Sequence, residues 1–556
     1  MRLSLLLLAC GCASGQTYDV IITGGRVVDG TGNAWFYGDV AIRGDRIARI
    51  APRGMLAGAP ARERIDARGL VVSPGFIDIQ GQSRGQLLNG DGRLISHLTQ
   101  GITTEIMGEG VTDAPANDKT LANESEEARR LDSRFTGPHG FRDWLEAMQQ
   151  HGSSLNFGSF AGATTLRMYG KGMAQGAPTE AELEEMRGAL KRAMEDGAFG
   201  MASALIYPPG EYTTTRELVE LAKVMAPYGG VYITHMRSES DHLLEAIDEA
   251  IEIGREGGVP VEIYHLKASG EANWPKMKQA IAKIDEARRA GIDISADMYP
   301  YVAGGTGLTA CLPPWSAADG KLFENLNDPA TRKKIHDEAM AAPRDWENIC
   351  REATPSGVMI LRLASPQYRQ YQGERLSEIA AALHKDWADT AIDLISAEHS
   401  RIETMFFIGS EENVKLQLQQ PWIKISTDAG GVDPAWAEER GPTHPRAYGT
   451  YPRVLGKYVR EEKVITLEDA VRKMTSSVAD RVGLRDRGLL RAGHCADIVI
   501  FDPETIGDRS TFEAPHQLSV GVRDVWVNGV RVLRDSEHTG ATPGQVVRGP
   551  GAQTHT

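Results

Sequence analysis

Two short apolar runs each end near a histidine. Residues 231–233 (VYI) lead into His235, and residues 261–264 (VEIY) lead into His265. Between them Leu243, Leu244, Ile247 and Ile251 recur at helical spacing, and glycines close the segment. The pattern predicts strand, helix, strand, with an imidazole at the end of each strand. In parallel α/β units the ends of successive strands lie side by side on the face where ligands bind. Two imidazoles there can share one metal ion. Taken singly, either is equally a strand cap or a satisfied core histidine.

Other strand ends carry chemistry too. The first predicted strand of the series ends in Gln80-Gly81-Gln82-Ser83, and the second in Met107-Gly108-Glu109-Gly110. The seventh ends at Asp297, Tyr299 and Tyr301, and the last at Ser426-Thr427-Asp428. Glu109, His235 and His265 together suit a zinc-like ion with an open fourth position, one ion per chain. Such an ion lowers the pKa of its water to about 7, and a nearby carboxylate can take the proton. Asp428 is the candidate for that base. Its plain alternative is a helix N-cap before a Gly-rich loop, and that of Glu109 is a turn residue. Lys267 follows His265 by two and on a strand points the same way, so it can hold a substrate carboxylate. Arg446, in the polar loop HPRAYG after the last strand, can grip a carboxylate with two N–H groups. Solvated surface charges are the alternative for both. Arg237 and Glu239, beside His235, read as a supporting pair.

These residues need a scaffold. Between Val71 and about Arg487, apolar strand-like runs alternate with helical patterns about eight times, the number expected of a (β/α)8 TIM-like barrel. The rhythm breaks over about 304–364, which reads as an insertion over the barrel mouth. Residues 17–72 and 488–548 carry short strands with Gly24-Gly25, Asp29-Gly30 and Asn528-Gly529 turns. Both ends therefore build one small β-sandwich domain around the barrel of 73–487. The Gly/Thr-rich stretch from Gly540, and 549–556 above all, reads as a loose tail.

With 556 residues the chain is too long for one simple core. A formal net charge of -14 argues against a nucleic-acid partner. Of the 5 cysteines, Cys311, Cys350 and Cys495 are scattered outside the leader, and no disulfide framework or cysteine zinc site is expected. Residues 1–16 (MRLSLLLLACGCASGQ) have the layout of a secretory signal, too short to span a membrane. They predict export to a bacterial periplasm or beyond, with Cys10 a possible lipidation site.

GGRVVDGTG, PGFID, GITTE, YITHMRSE, HLK, ADMYPY, HPRAYGTYPRVLG and GHCADIVIFDP together resemble the N-acyl-D-amino-acid deacylases (D-aminoacylases) of the amidohydrolase superfamily. The resemblance runs from about Tyr18 to Arg548. It implies a barrel with a small β domain from both termini, and zinc-dependent hydrolysis of the amide in N-acyl-D-amino acids. His235 and His265 match the family's metal-binding histidines, Asp428 its general acid/base, and Lys267 and Tyr299 residues that handle the substrate. Three departures stand out. Gln80-Gly81-Gln82 replaces a usual His-x-His, and neutral amides are poor zinc ligands. Gly110 takes the place of a usual cysteine, with Glu109 one position before it. Gly304, Gly305 and Thr306 stand where a serine is common. Two other functions remain open at this point. One is hydrolysis of a different small amide, such as a cyclic amide or a dipeptide. The other is non-catalytic binding after loss of a metal site.

Overall fold

The computed structural model describes residues 17–342, 345–437 and 441–553; the leader and Cys10 lie outside them. Eight parallel strands form a ring: β1 (Phe76–Asp78), β2 (Ile102–Met107), β3 (Asn156–Ser159, continued by Ala161–Gly162), β4 (Gly200–Ala204), β5 (Val231–His235), β6 (Val261–Ile263), β7 (Ile294–Met298) and β8 (Ile423–Ile425). They coincide with the eight runs expected from the sequence. Ladders join β1 to β2 to β3, and continue from Ala161–Gly162 through β4 to β8. Between β8 and β1 the ladder gives way to one bridge, Gly81 to Ala429. Asp78 reinforces the closure: its Oδ1 accepts the Thr427 N–H at 3.1 Å and its Oδ2 accepts the Thr427 hydroxyl.

The strands are buried along their whole length, as a parallel sheet covered on both faces requires. Crossover helices supply the cover. Glu180–Asp196 is typical: Thr179 and Glu182 form a capping box at its start, and Met186, Leu190, Ala193 and Met194 line its buried face. Leu243–Gly257 turns Leu243, Ile247 and Ile253 inward and stops at Gly258.

The two ends of the chain share one nine-stranded sheet. Val71–Pro74 stitches them together, pairing with Tyr18–Val27 on one side and Ile498–Phe501 on the other. The sheet forks at Tyr18–Val27, whose first half pairs with Ala61–Asp66 instead. Val20, Ile22, Val40, Ile42, Ile498, Ile500 and Trp526 then close on one core. Asn528 and Gly529 both have positive φ, 50° and 78°, as the predicted hairpin turn needs.

Three expectations change. The insertion runs past residue 364. Its antiparallel sheet joins Ala303–Gly307, Glu403–Phe407 and Val358–Ile360, and its separate core reaches Phe406 and Ile408. The unit thus spans the connection from β7 to β8. Cys311 and Cys350, 39 residues apart, form a disulfide inside it; a lone pair this far apart has no spacing signature. As far as Gln553 the tail is strapped down, with 554–556 outside the described residues: Gly544, Val547 and Gly549 donate backbone N–H groups to Ser153, Phe157 and Gly197, and Gln553 to Glu195. Backbone groups make these contacts, so side-chain composition does not announce them.

Gly200 opens β4 at φ +142°, and a Cβ there would overlap the Val231 backbone of β5. Gly258, at φ +69°, has open space around the same position. Gly200→Ala should destabilise the fold by more than about 2 kcal/mol, whereas Gly258→Ala should cost only about 1 kcal/mol of backbone strain, a contrast that denaturant unfolding of the two variants measures.

Candidate active site

Glu109, His235 and His265 meet at the C-terminal mouth of the barrel. Glu109 Oε1 lies 3.2 Å from His235 Nδ1 and 3.2 Å from His265 Nε2. The two imidazoles pack edge to face, with centroids 4.6 Å apart. All three ligand atoms lie within 4.8 Å of one another. Donors about 2.0–2.1 Å from one tetrahedral ion sit roughly 3.3 Å apart, so this set fits a single zinc-like ion. His235 Nε2 is buried without a hydrogen-bond partner.

The backbone is bent to bring them there. His265 has φ 33° and Asp428 φ 48°, left-handed conformations that cost a non-glycine residue about 1–3 kcal/mol each. Asp297 on β7 holds the first bend: its Oδ1 accepts the His265 N–H at 2.9 Å and the Ser426 hydroxyl at 2.6 Å. Burial, with Glu262 adding to it, pushes the Asp297 carboxyl up to about 8. Asp297 is thus a support for His265 rather than a ligand.

Glu239 stands behind the imidazoles. Its Oε1 lies 3.0 Å from His265 Nδ1, and Lys267 Nζ donates to both its oxygens at 2.9 and 2.8 Å. Lys267 Nζ also lies 2.8 Å from His265 Nδ1, so Glu239 and Lys267 together brace that nitrogen while Nε2 faces the ligand cluster. The expected Arg237–Glu239 pair does not form. Arg237 is held by Glu249 at 2.8 Å and by the Glu211 and Thr213 carbonyls.

Asp428 faces the cluster from the end of β8. Gln82 Nε2 donates to its Oδ1 at 3.3 Å, and Arg446 Nη1 lies 2.7 Å from its Oδ2. Arg446 is not on a solvated loop: it opens the helix Arg446–Arg453 and is buried. Tyr299 lies between two cations, with Arg446 Cζ 4.7 Å and Lys267 Nζ 5.6 Å from its ring centroid. Arg446 Nη2 also donates to the Gly305 carbonyl at 3.3 Å. Lys267, Tyr299 and Arg446 thus form one wall beside the ligand trio, its two cations paired with Glu239 and Asp428.

Charges set the protonation states. Burial raises the Glu109 carboxyl, but hydrogen bonds from His235 and His265 outweigh it and leave it well below the usual carboxylate range. Burial and Lys267 push His265 down, yet Glu239 and Glu109 hold it well above an ordinary imidazole. Burial pushes Asp428 up, Arg446 pulls it down and Glu109 pushes it up again, for a net rise.

Residues 401–533 match the Amidohydrolase family. The D-aminoacylase of Alcaligenes xylosoxydans xylosoxydans is 34% identical over 537 residues, covering 96% of this chain and 98% of its own. The N-acyl-D-aspartate deacylase of the same organism is 34% identical over 542 residues, covering 95% of each. The chain belongs to the N-acyl-D-amino-acid deacylase family of amidohydrolases. A solved structure of this family, the N-acyl-D-glutamate deacylase of Bordetella bronchiseptica with zinc and a phosphonate inhibitor, superposes with TM-score 0.79. It is 31% identical and covers 96% of this chain and 100% of its own.

This deacylase departs from its family at positions the geometry explains. Gly110 has φ +66°, and a Cβ there would meet the Ala204 Cβ at 2.8 Å. A cysteine at 110 does not fit this turn, and Glu109 reaches the histidines from the neighbouring position. Gln80 and Gln82 both donate to Glu109 Oε2, at 2.7 and 2.8 Å. Sequence reasoning set this pair aside as poor ligands and missed it as a brace; the i, i+2 spacing after β1 is the signal that puts both amides on one side. It placed Glu239 as a support beside His235, where its Oε2 lies 3.7 Å from Nε2, but not behind His265.

Arg446→Met keeps the bulk and removes the cation that pulls Asp428 down. The acidic limb of kcat/KM, which follows protonation of Asp428, should therefore move to higher pH in this deacylase variant. An unmoved limb would mean that Asp428 is not the titrating group.

Proposed function

We propose that this deacylase hydrolyses the amide of N-acyl-D-amino acids, releasing a carboxylate and a D-amino acid, with one zinc ion per chain. The observation that carries the proposal is the convergence of Glu109, His235 and His265 opposite Asp428, with Lys267, Tyr299 and Arg446 alongside. When bound, the ion polarises the acyl carbonyl and makes water available as a nucleophile near neutral pH.

The chain's own residues do the rest. Asp428 takes a proton from the attacking water as the new bond to the acyl carbon forms. The same carboxyl then gives the proton to the amide nitrogen, the C–N bond breaks, and the amine leaves. Arg446 stays beside Asp428 and keeps its charged form accessible. The substrate carboxylate docks on the wall where Lys267 and Arg446 flank the Tyr299 ring. No serine hydroxyl helps here: a Cβ at Gly304 or Gly305 would come within 3.3 Å of the Tyr299 hydroxyl or 3.4 Å of Arg446 Nη2. Glycine keeps this wall open, and the space it leaves also suits a second substrate class, small dipeptides or cyclic amides.

We also propose that the protein is exported. The leader reads as a secretory signal, and the Cys311–Cys350 disulfide suits an oxidising compartment. Among the described residues no helix is long and apolar enough to cross a membrane. Recovery of the full-length chain from cytoplasm alone, with intact residues 1–16, would contradict export.

Asp428→Asn should cut kcat by about 100- to 10,000-fold while zinc content stays the same; turnover retained in that variant removes Asp428 from this role. On paired N-acetyl-D- and N-acetyl-L-amino acids, the wild-type protein should hydrolyse the D series. Activity confined to L substrates, dipeptides or cyclic amides would replace the proposed substrate class.

A further inference from the structure

Gln80 and Gln82 crowd one oxygen of one carboxylate. Their Nε2 atoms lie 2.7 and 2.8 Å from Glu109 Oε2. An ionised carboxylate oxygen offers two lone-pair directions, and a side-chain amide facing it must present its N–H. Both directions of Oε2 are thus filled by donors. Only Oε1 is left for His235 Nδ1 and His265 Nε2, each 3.2 Å away. Glu109 is a one-oxygen ligand by construction.

The amides are themselves braced. Gln80 Oε1 lies 3.4 Å from the Ser426 hydroxyl oxygen, and the Gln80 backbone N–H is held by Asp78 Oδ1 at 3.1 Å. The Gln82 backbone N–H donates to the Ala429 carbonyl at 3.0 Å, and its side chain also reaches Asp428 Oδ1 at 3.3 Å. The pair is anchored to the seam where β8 meets β1. A second cation beside Glu109 Oε2 would face two N–H groups that repel it. It would find no basic nitrogen on either side chain, since an amide nitrogen has no free lone pair to donate.

We propose that Gln80 and Gln82 are positioning residues that lock Glu109 as a single-oxygen ligand and restrict the centre to one ion. The inference rests on Glu109, His235 and His265 being the ligand set. It goes further in assigning the exclusion of a second ion, and part of the affinity for the first, to two side chains that touch no metal.

The test is zinc titration of the full-length metal-free protein by calorimetry, with elemental analysis after gel filtration. Three forms are compared: wild type, the Gln80→Leu/Gln82→Leu pair, and the Gln80→His/Gln82→His pair. Wild type should take up one zinc per chain and no more in excess zinc. The leucine pair should still take one, about 10- to 100-fold more weakly, because Glu109 loses both braces. The histidine pair should gain a second zinc. If the leucine pair fails to fold, Gln80→Asn, which withdraws one N–H by a methylene, should weaken zinc binding in the same direction. Two zinc ions in wild type, unchanged affinity in the leucine pair or in Gln80→Asn, or no second ion in the histidine pair would each overturn the inference while leaving the ligand set standing. No zinc uptake by wild type would instead overturn the ligand set, and the inference with it.

Discussion

The Glu109 carboxylate is divided between two kinds of partner. Imidazoles from β5 and β6 take one oxygen, and amides from the end of β1 take the other. The four partners come from strands far apart in sequence, and only a closed ring of parallel strands presents all their ends on one face. The weak seam of that ring, between β8 and β1, is where Gln80, Gln82 and Asp428 sit. Asp78 and Thr427 fasten the seam beneath them. Closing the barrel and assembling the site are therefore one event.

Burying so much charge demands balance. Glu109, Glu239 and Asp428 bring three negative charges, and Lys267 and Arg446 bring two positive ones, with most of these side chains nearly removed from water. Adding one divalent ion with neutral histidines leaves the site positive by a single charge. A substrate with one carboxylate cancels it, whereas a second ion would leave a large uncompensated charge in a low-dielectric pocket. Charge balance and the amide brace thus favour the same stoichiometry. The strained backbone at His265 and Asp428 is tolerated because Asp297, Ser426 and the seam over-determine both positions.

Much of this was legible in the chain. The eight barrel strands stood out because a sheet covered on both faces needs short, unbroken apolar runs, and the histidines marked where those runs end. Glu109 was findable because glycines on both sides leave it the sole reactive side chain in its turn. What stayed hidden depended on pairing between distant parts. Arg237 and Glu239 are neighbours in sequence, yet Glu249 claims the arginine and His265 and Lys267 claim the glutamate. Gln80 and Gln82 lose meaning as ligands and gain it as donors only once Glu109 is placed beside them. The extent of the insertion followed from a strand pair, Ala303–Gly307 with Glu403–Phe407, whose partners lie about a hundred residues apart. The docked tail is held through backbone groups that every residue type carries.

The central claim is a single ion held by one oxygen of Glu109 and two imidazoles. An anomalous difference map at the zinc edge, from crystals of the full-length protein grown with excess zinc, tests it most directly. The account predicts one peak in this site, bonded to Glu109, His235 and His265, with the Gln80 and Gln82 amides on the far oxygen of Glu109. Two peaks in the mouth, or one peak that leaves Glu109 unbound, would contradict it.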